Sequence, residues 1–96
     1  MSESTNTITK SFTLNNKYGL HARPSSMFVK TVSKFNSEVE VLKDDLSGNG
    51  KSIMELMILA AAPGDSITVK INGDDANEAM LAIEELFNSN FGETNE

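Results

Sequence analysis

Residues 66–72, Ser-Ile-Thr-Val-Lys-Ile-Asn, alternate without a fault: Ile67, Val69 and Ile71 fall on one side, Thr68 and Lys70 on the other. A strand repeats its side-chain direction every two residues, so this segment presents one dry face and one wet face. It fits a sheet that is covered on one side and left to solvent on the other. Two more segments share the pattern. Ile8, Lys10, Phe12 and Leu14 lie on one side of a strand, with a lysine interrupting the apolar set, and Val39 and Val41 alternate with Glu38 and Glu40. Between the strands the apolar period lengthens to that of a helix. Ala22 to about Phe35 places Phe28, Val32 and Phe35 on one stripe. Ser52 to Ala62 reads as a second helix stopped by Pro63-Gly64. Ala76, Met80, Ile83 and Phe87 mark a third, with Asp74 or Asp75 available as its cap. Residues 44–50 are polar and Gly-rich and read as a turn with a short third strand around Leu46. The order βαβ(β)αβα suggests a two-layer α+β sandwich.

At 96 residues the chain fits one domain, 1–96, with about 1–6 and 92–96 expected to be flexible. It has no cysteine, which removes disulfides, thiol catalysis, Fe–S clusters and thiolate zinc sites together, and its single histidine leaves no His-rich metal site. No apolar run approaches the roughly 20 residues of a membrane span. The beginning, Met-Ser-Glu-Ser-Thr-Asn, lacks the basic segment and apolar core of a signal peptide. A cytoplasmic protein without membrane insertion is expected. The net charge of −6 argues against nucleic-acid binding. It is also uneven: residues 1–54 hold seven basic groups against five acids, whereas residues 55–96 hold Lys70 against nine acids. Acidic partners therefore suit the first half.

Gly19-Leu20-His21-Ala22-Arg23-Pro24 falls where the turn Asn15–Gly19 meets the first helix. A helix start offers unpaired N–H groups and the positive end of the dipole, which together attract an anion. His21 adds a nitrogen nucleophile that works near neutral pH, and Arg23 adds a guanidinium two residues on. Pro24 in the first turn costs no helical hydrogen bond. Such a set suits a phosphoryl group held on nitrogen. It equally suits a turn histidine satisfied by hydrogen bonds, and the chemistry alone does not separate the two. No second general base, nucleotide loop or metal set accompanies His21, so an independent enzyme is not indicated.

In the second helix, about 100° per residue places Ile53, Leu56, Leu59 and Ala60 on one face and Met54, Met57 and Ile58 nearly opposite. One face can reach the sheet; the other leaves a Met-containing apolar patch in water, the mark of a docking surface. At its start, Ser52-Ile-Met-Glu55 has the form of a capping box.

The string Gly-Leu-His-Ala-Arg-Pro, with Lys51-Ser-Ile-Met54 about thirty residues later, closely resembles the HPr family, the histidine-containing phosphocarriers of the bacterial phosphoenolpyruvate-dependent phosphotransferase system. The resemblance runs from about Thr7 to Glu93. It implies an open-faced sandwich, a four-stranded antiparallel sheet with three helices on one face, in the order βαββαβα. It implies a monomeric, stoichiometric carrier that needs no cofactor or metal and is not itself an enzyme. His21 would take a phosphoryl group on Nδ1 from phospho-enzyme I and pass it to a IIA domain. Arg23 and the first amides of the helix would steady the phosphate. Ala22, Pro24, Ser26 and Lys30 on the first helix, with Ile53, Met54, Met57 and Ile58 on the second, would form the binding surface. Ser52 aligns with the serine modified by HPr kinase/phosphorylase. Glu55 stands where the family usually has a small residue, and its carboxylate would oppose a phosphate there. Two other readings stay open. Leu86-Phe-Asn-Ser-Asn-Phe91 and Ile58 look like the nitrogen-type regulatory branch, whereas Lys51–Met54 looks like the sugar branch. A regulatory binding module acting only through phosphorylated Ser52 is opposed by the presence of His21 and Arg23.

Overall fold

The structure, a computed structural model, describes residues 7–92. Its elements are β1 (Thr7–Thr13), α1 (Ala22–Val32), β2 (Glu38–Lys43), β3 (Leu46–Asn49), α2 (Ile53–Ile58), β4 (Ser66–Asn72) and α3 (Ala76–Asn88), closed by a turn at Asn90–Gly92. The strands form one sheet in the order β1-β4-β2-β3, every neighbour antiparallel. The expected βαββαβα sandwich is what the chain adopts. The faultless alternation of residues 66–72 has its reason here, because β4 is an inner strand with a partner on each side. Ile71 faces Ile8 and Val39, and Val69 faces Lys10 and Val41.

The helices close the dry face. Phe28 and Val32 of α1, Leu56 of α2 and Ala76, Ala79, Met80, Ile83 and Leu86 of α3 are buried over Val39, Val41, Ile67, Val69 and Ile71. Leu59 and Ala61, just past α2, join them. The other face is a polar surface of cross-strand pairs: Thr7 donates to Asn72 Oδ1 at 3.1 Å, and the Ser11 and Thr68 hydroxyls meet at 3.0 Å. Lys10, the lysine inside an apolar set, sits on an edge strand and reaches out to Glu84 of α3 at 2.6 Å. No helix among the described residues is long and apolar enough to cross a membrane.

Several expectations need correction. The first helix ends at Val32, not Phe35; the Phe35 N–H turns back on Val32 O (3.1 Å) in a tight closing turn, while its ring still packs on the core. The second helix has six residues and stops at Ile58 instead of Ala62. Leu59 and Ala60 close on Leu56 and Met57 in i→i−3 turns, and Ala60 is left-handed at φ 53. That reversal turns both Leu59 and Ala61 inward and leaves Ala60 exposed. Ile53, placed by the helical wheel on the sheet side, is exposed at the very start of the shortened helix. At α3, Asp75 occupies the N-cap position but makes no side-chain cap. Its carboxylate instead accepts from Asn36 N (2.8 Å), Ser37 N (2.9 Å) and the Ser37 hydroxyl, tying the α1–β2 loop to the start of α3. The Ser37 hydroxyl and the Asn36 N–H favour the charged form and lower the Asp75 pKa from its ordinary value of 3.8. At the far end, Gly92 belongs to the closing turn, and Phe91 before it is buried with its ring edge-on to Phe87 at 4.9 Å. The remaining ends expected to be flexible, 1–6 and 93–96, lie outside the described residues.

Candidate functional site

The loop before α1 is pinned from several directions. Gly19 is left-handed (φ 70), and a Cβ there would collide with the carbonyl oxygen of Ala61, so only glycine fits. That close approach lets Leu20 N donate to Ala61 O at 2.9 Å. Buried Asn16 donates through Nδ2 to Gly19 O (2.7 Å), and the buried Ser25 hydroxyl donates to Leu20 O (3.3 Å). The backbone on both sides of His21 is thus fixed before any ligand arrives.

His21 takes the N-cap position with extended backbone (φ −83, ψ −169); its carbonyl accepts from Ser25 N at 3.1 Å, and its side chain makes no cap bond. The imidazole is half-buried, with Nε2 enclosed, and it meets the ring of Tyr18 edge to face at 5.6 Å and 84°. Lys17 Nζ lies 5.4 Å from the centre of that same Tyr18 ring. Arg23 is exposed and makes no ion pair among the described residues. The Ala22 and Arg23 N–H groups find no backbone acceptor, and Pro24 has no N–H to leave over. Two amides and the positive end of the helix dipole therefore stand at one imidazole, with exposed Arg23 two residues on and the Lys17 ammonium against the neighbouring Tyr18 ring, a setting that suits an anion attached to a ring nitrogen.

The other residues expected on this helix separate. Pro24 is buried, so it stiffens the first turn from inside and offers no contact surface. Ser26 is half-buried, and Lys30 is exposed in the last turn, where its charge complements the negative end of the dipole.

Ser52 caps α2, its hydroxyl accepting from Glu55 N at 3.2 Å. The capping box is only half made. Glu55 Oε1 accepts from Asn49 N (2.7 Å), and Ser52 N donates to Asn49 O (3.0 Å) instead of to Glu55. Lys51 Nζ donates to Phe35 O at 2.8 Å, which places the start of α2 beside the end of α1. The Leu20–Ala61 bond places the other end of α2 beside His21. The two helices run antiparallel. Ser52 and His21 therefore lie at opposite ends of the α1–α2 pair. Between these points lies the apolar patch: Met54 is 74% exposed, Ile58 67% and Met57 42%, joined by Ile53.

Tyr18, Lys17, Asn16 and Ala61 are residues that the sequence did not assign to the site. Asn16 and Gly19 carried a signal as turn formers. Tyr18 and Ala61 carried none, because their roles arise from a loop and a post-helical turn meeting in space.

Residues 8–89 match the family model described as PTS HPr component phosphorylation site. The phosphocarrier protein HPr of Neisseria meningitidis serogroup A is 51% identical over 86 residues, covering 90% of this chain and 97% of the relative. That of Xylella fastidiosa strain Temecula1 is 46% identical over 81 residues, covering 84% and 91%. The crystal structure of HPr-C-His from Thermoanaerobacter tengcongensis superposes with a TM-score of 0.88 at 42% identity, over 92% of this chain and 99% of that one.

Proposed function

The chain belongs to the HPr family, the phosphocarriers of the phosphotransferase system, and from that membership we propose that it carries one phosphoryl group on His21, from phospho-enzyme I to a IIA domain, in the cytoplasm. The observation that carries this reading is His21 at a helix start whose first two amides have no backbone acceptor, and whose Arg23 has no ion pair, among the described residues. Nδ1 is the acceptor, because Nε2 is enclosed and closed to a bulky donor. In the transfer, the Nδ1 lone pair forms the new P–N bond as the donor's bond to phosphorus breaks. Charge on the phosphoryl oxygens is met by the Ala22 and Arg23 N–H groups, already fixed by the helix start, and by the guanidinium of exposed Arg23 closing on them. Release to the next acceptor is the same step reversed in direction. The carrier therefore has no need of an acid or base of its own.

Both partners dock on the apolar patch of α2. Its end at Met57 and Ile58 lies beside the His21 loop, so an apolar contact there brings a partner's reacting group onto the imidazole. Phosphorylation of Ser52 by an HPr kinase/phosphorylase regulates that docking. The new charge stands at the end of α2 away from the His21 loop and next to exposed Ile53 and Met54, so it acts on the docking surface. Glu55, held by Asn49, opposes the new charge without preventing it. Incubation with phosphoenolpyruvate and enzyme I, followed by mass spectrometry, tests the reading. One acid-labile phosphate mapping to residue 21 is expected; no incorporation, or an acid-stable phosphate elsewhere, contradicts it.

A further inference from the structure

The chain contains two Asn-Gly pairs, Asn49-Gly50 and Asn72-Gly73. In such a pair the glycine nitrogen reaches the asparagine side-chain amide with least hindrance, since no Cβ stands in the way. The fold treats the two pairs differently. Gly50 is buried and its N–H donates to Val39 O at 2.7 Å, while Asn49 Oδ1 accepts from Lys51 N at 2.8 Å. There the nucleophile is engaged and the side chain is held away from it. Asn72, by contrast, is exposed at the end of β4, and the Gly73 N–H makes no hydrogen bond among the described residues. Asn72 Oδ1 accepts from the Thr7 hydroxyl at 3.1 Å, so the amide carbonyl is already polarised. Asn72 and Asn49 both line one open depression of about 570 Å³, so water reaches both side chains, and the difference between the pairs lies in the glycine N–H groups. Packing forbids a safer residue after it. Gly73 has φ 155, and a Cβ there would collide with the Ser37 hydroxyl, itself buried and bound to Asp75.

We propose that Asn72 is a site of spontaneous deamidation, a slow chemical modification written into the β4–α3 turn. Gly73 N attacks Asn72 Cγ and forms a C–N bond; the side-chain nitrogen leaves as ammonia, taking up the proton that Gly73 N gives up. Water then opens the five-membered succinimide at either carbonyl, leaving aspartate or isoaspartate at position 72. One ammonia has been exchanged for one water, and nothing is oxidised or reduced. The product places a carboxylate directly opposite Glu38 in the sheet register. The isoaspartyl form also adds a backbone atom where Gly73 presses on Ser37, so the aged chain melts at a lower temperature than the fresh one. His21 lies beyond the other end of β4, about 20 Å away along the strand, and is not touched by the change.

The test is to hold the intact protein at mildly alkaline pH and follow each Asn-Gly peptide by mass spectrometry with isoaspartate detection, beside the same chain in urea. In the folded protein Asn72 should convert faster than Asn49 by about tenfold or more, the factor set by releasing one ladder hydrogen bond. In urea the two rates should converge. Equal rates at the two pairs in the folded protein, conversion at Asn49 alone, or no conversion at Asn72 over a time in which the unfolded chain is fully converted, would each overturn the proposal.

Discussion

Helices α1 and α2 lie side by side, yet they are held in opposite ways. α1 has eleven residues and buries Pro24, Ser25, Phe28 and Val32, while the loop before it is fixed by Asn16, Gly19 and Ala61. α2 has six residues and buries only Leu56 within its span, keeping four large apolar side chains in water. On the proposed carrier reading, a nucleophile that meets two different partners needs a fixed backbone, which α1 supplies. On the same reading, a surface that fits both partners needs apolar area with adaptable side chains, and two methionines with two isoleucines offer it.

The largest effect that separates the two helices is at the imidazole. His21→Ala should abolish phosphoryl acceptance while far-UV circular dichroism and the melting temperature stay near wild type, because the side chain makes no cap bond to its own helix. Next, within and just after α2, Leu56→Ala and Leu59→Ala should each destabilise the fold by about 2–5 kcal/mol in urea titrations, as fully buried leucines do. Met54→Glu and Met57→Glu should reverse the pattern. Stability should stay within about 0.5 kcal/mol, as for exposed sites, while calorimetry shows enzyme I binding weakened by about tenfold or more. Stability losses at the methionines equal to those at the leucines would mean that the two faces of α2 have been assigned the wrong way round.

Smaller effects sharpen the comparison at the helix starts. Ser52→Ala removes a real cap and should cost about 1 kcal/mol, with transfer from enzyme I still fast. Ser52→Asp should slow transfer through the interface without a comparable loss of stability. Asp75→Asn removes a carboxylate whose pKa is lowered on folding. That contribution is present above the ordinary value of 3.8 and is lost as pH falls through the lower folded value. The variant should therefore show a flatter decline in melting temperature on acidification below about pH 4 than the wild type does.

Much of this was legible in the sequence because it is periodic. The alternation of Ile67, Val69 and Ile71 places β4 in a one-sided sheet, and Met80 and Ile83 place α3 upon it. The capping bond of Ser52 follows from its sequence alone, as does the division of α2 into Leu56 and the two methionines. What escaped is where tertiary contacts override local preference. Leu59 and Ala61 are both drawn inward, and only a left-handed Ala60 reconciles them, so α2 ends early although its sequence favours helix. Asp75 looks like a helix cap, but the α1–β2 loop lies closer to its carboxylate and competes successfully for it. Phe91 is core only because a left-handed turn folds it back on Phe87. At the site, the motif marks His21 and Arg23, whereas Tyr18 enters through the path of the loop.

The claim that this chain is a carrier, and not merely an acceptor, is tested most directly by a second transfer. Protein phosphorylated by enzyme I is purified away from it and mixed with an equimolar, unphosphorylated IIA domain, and both masses are followed over time. The account predicts that the phosphate leaves His21 and appears on the IIA domain in equal amount, returning this chain to its starting mass. Phosphate that stays on His21, or that is released to solution without reaching the IIA domain, would contradict it.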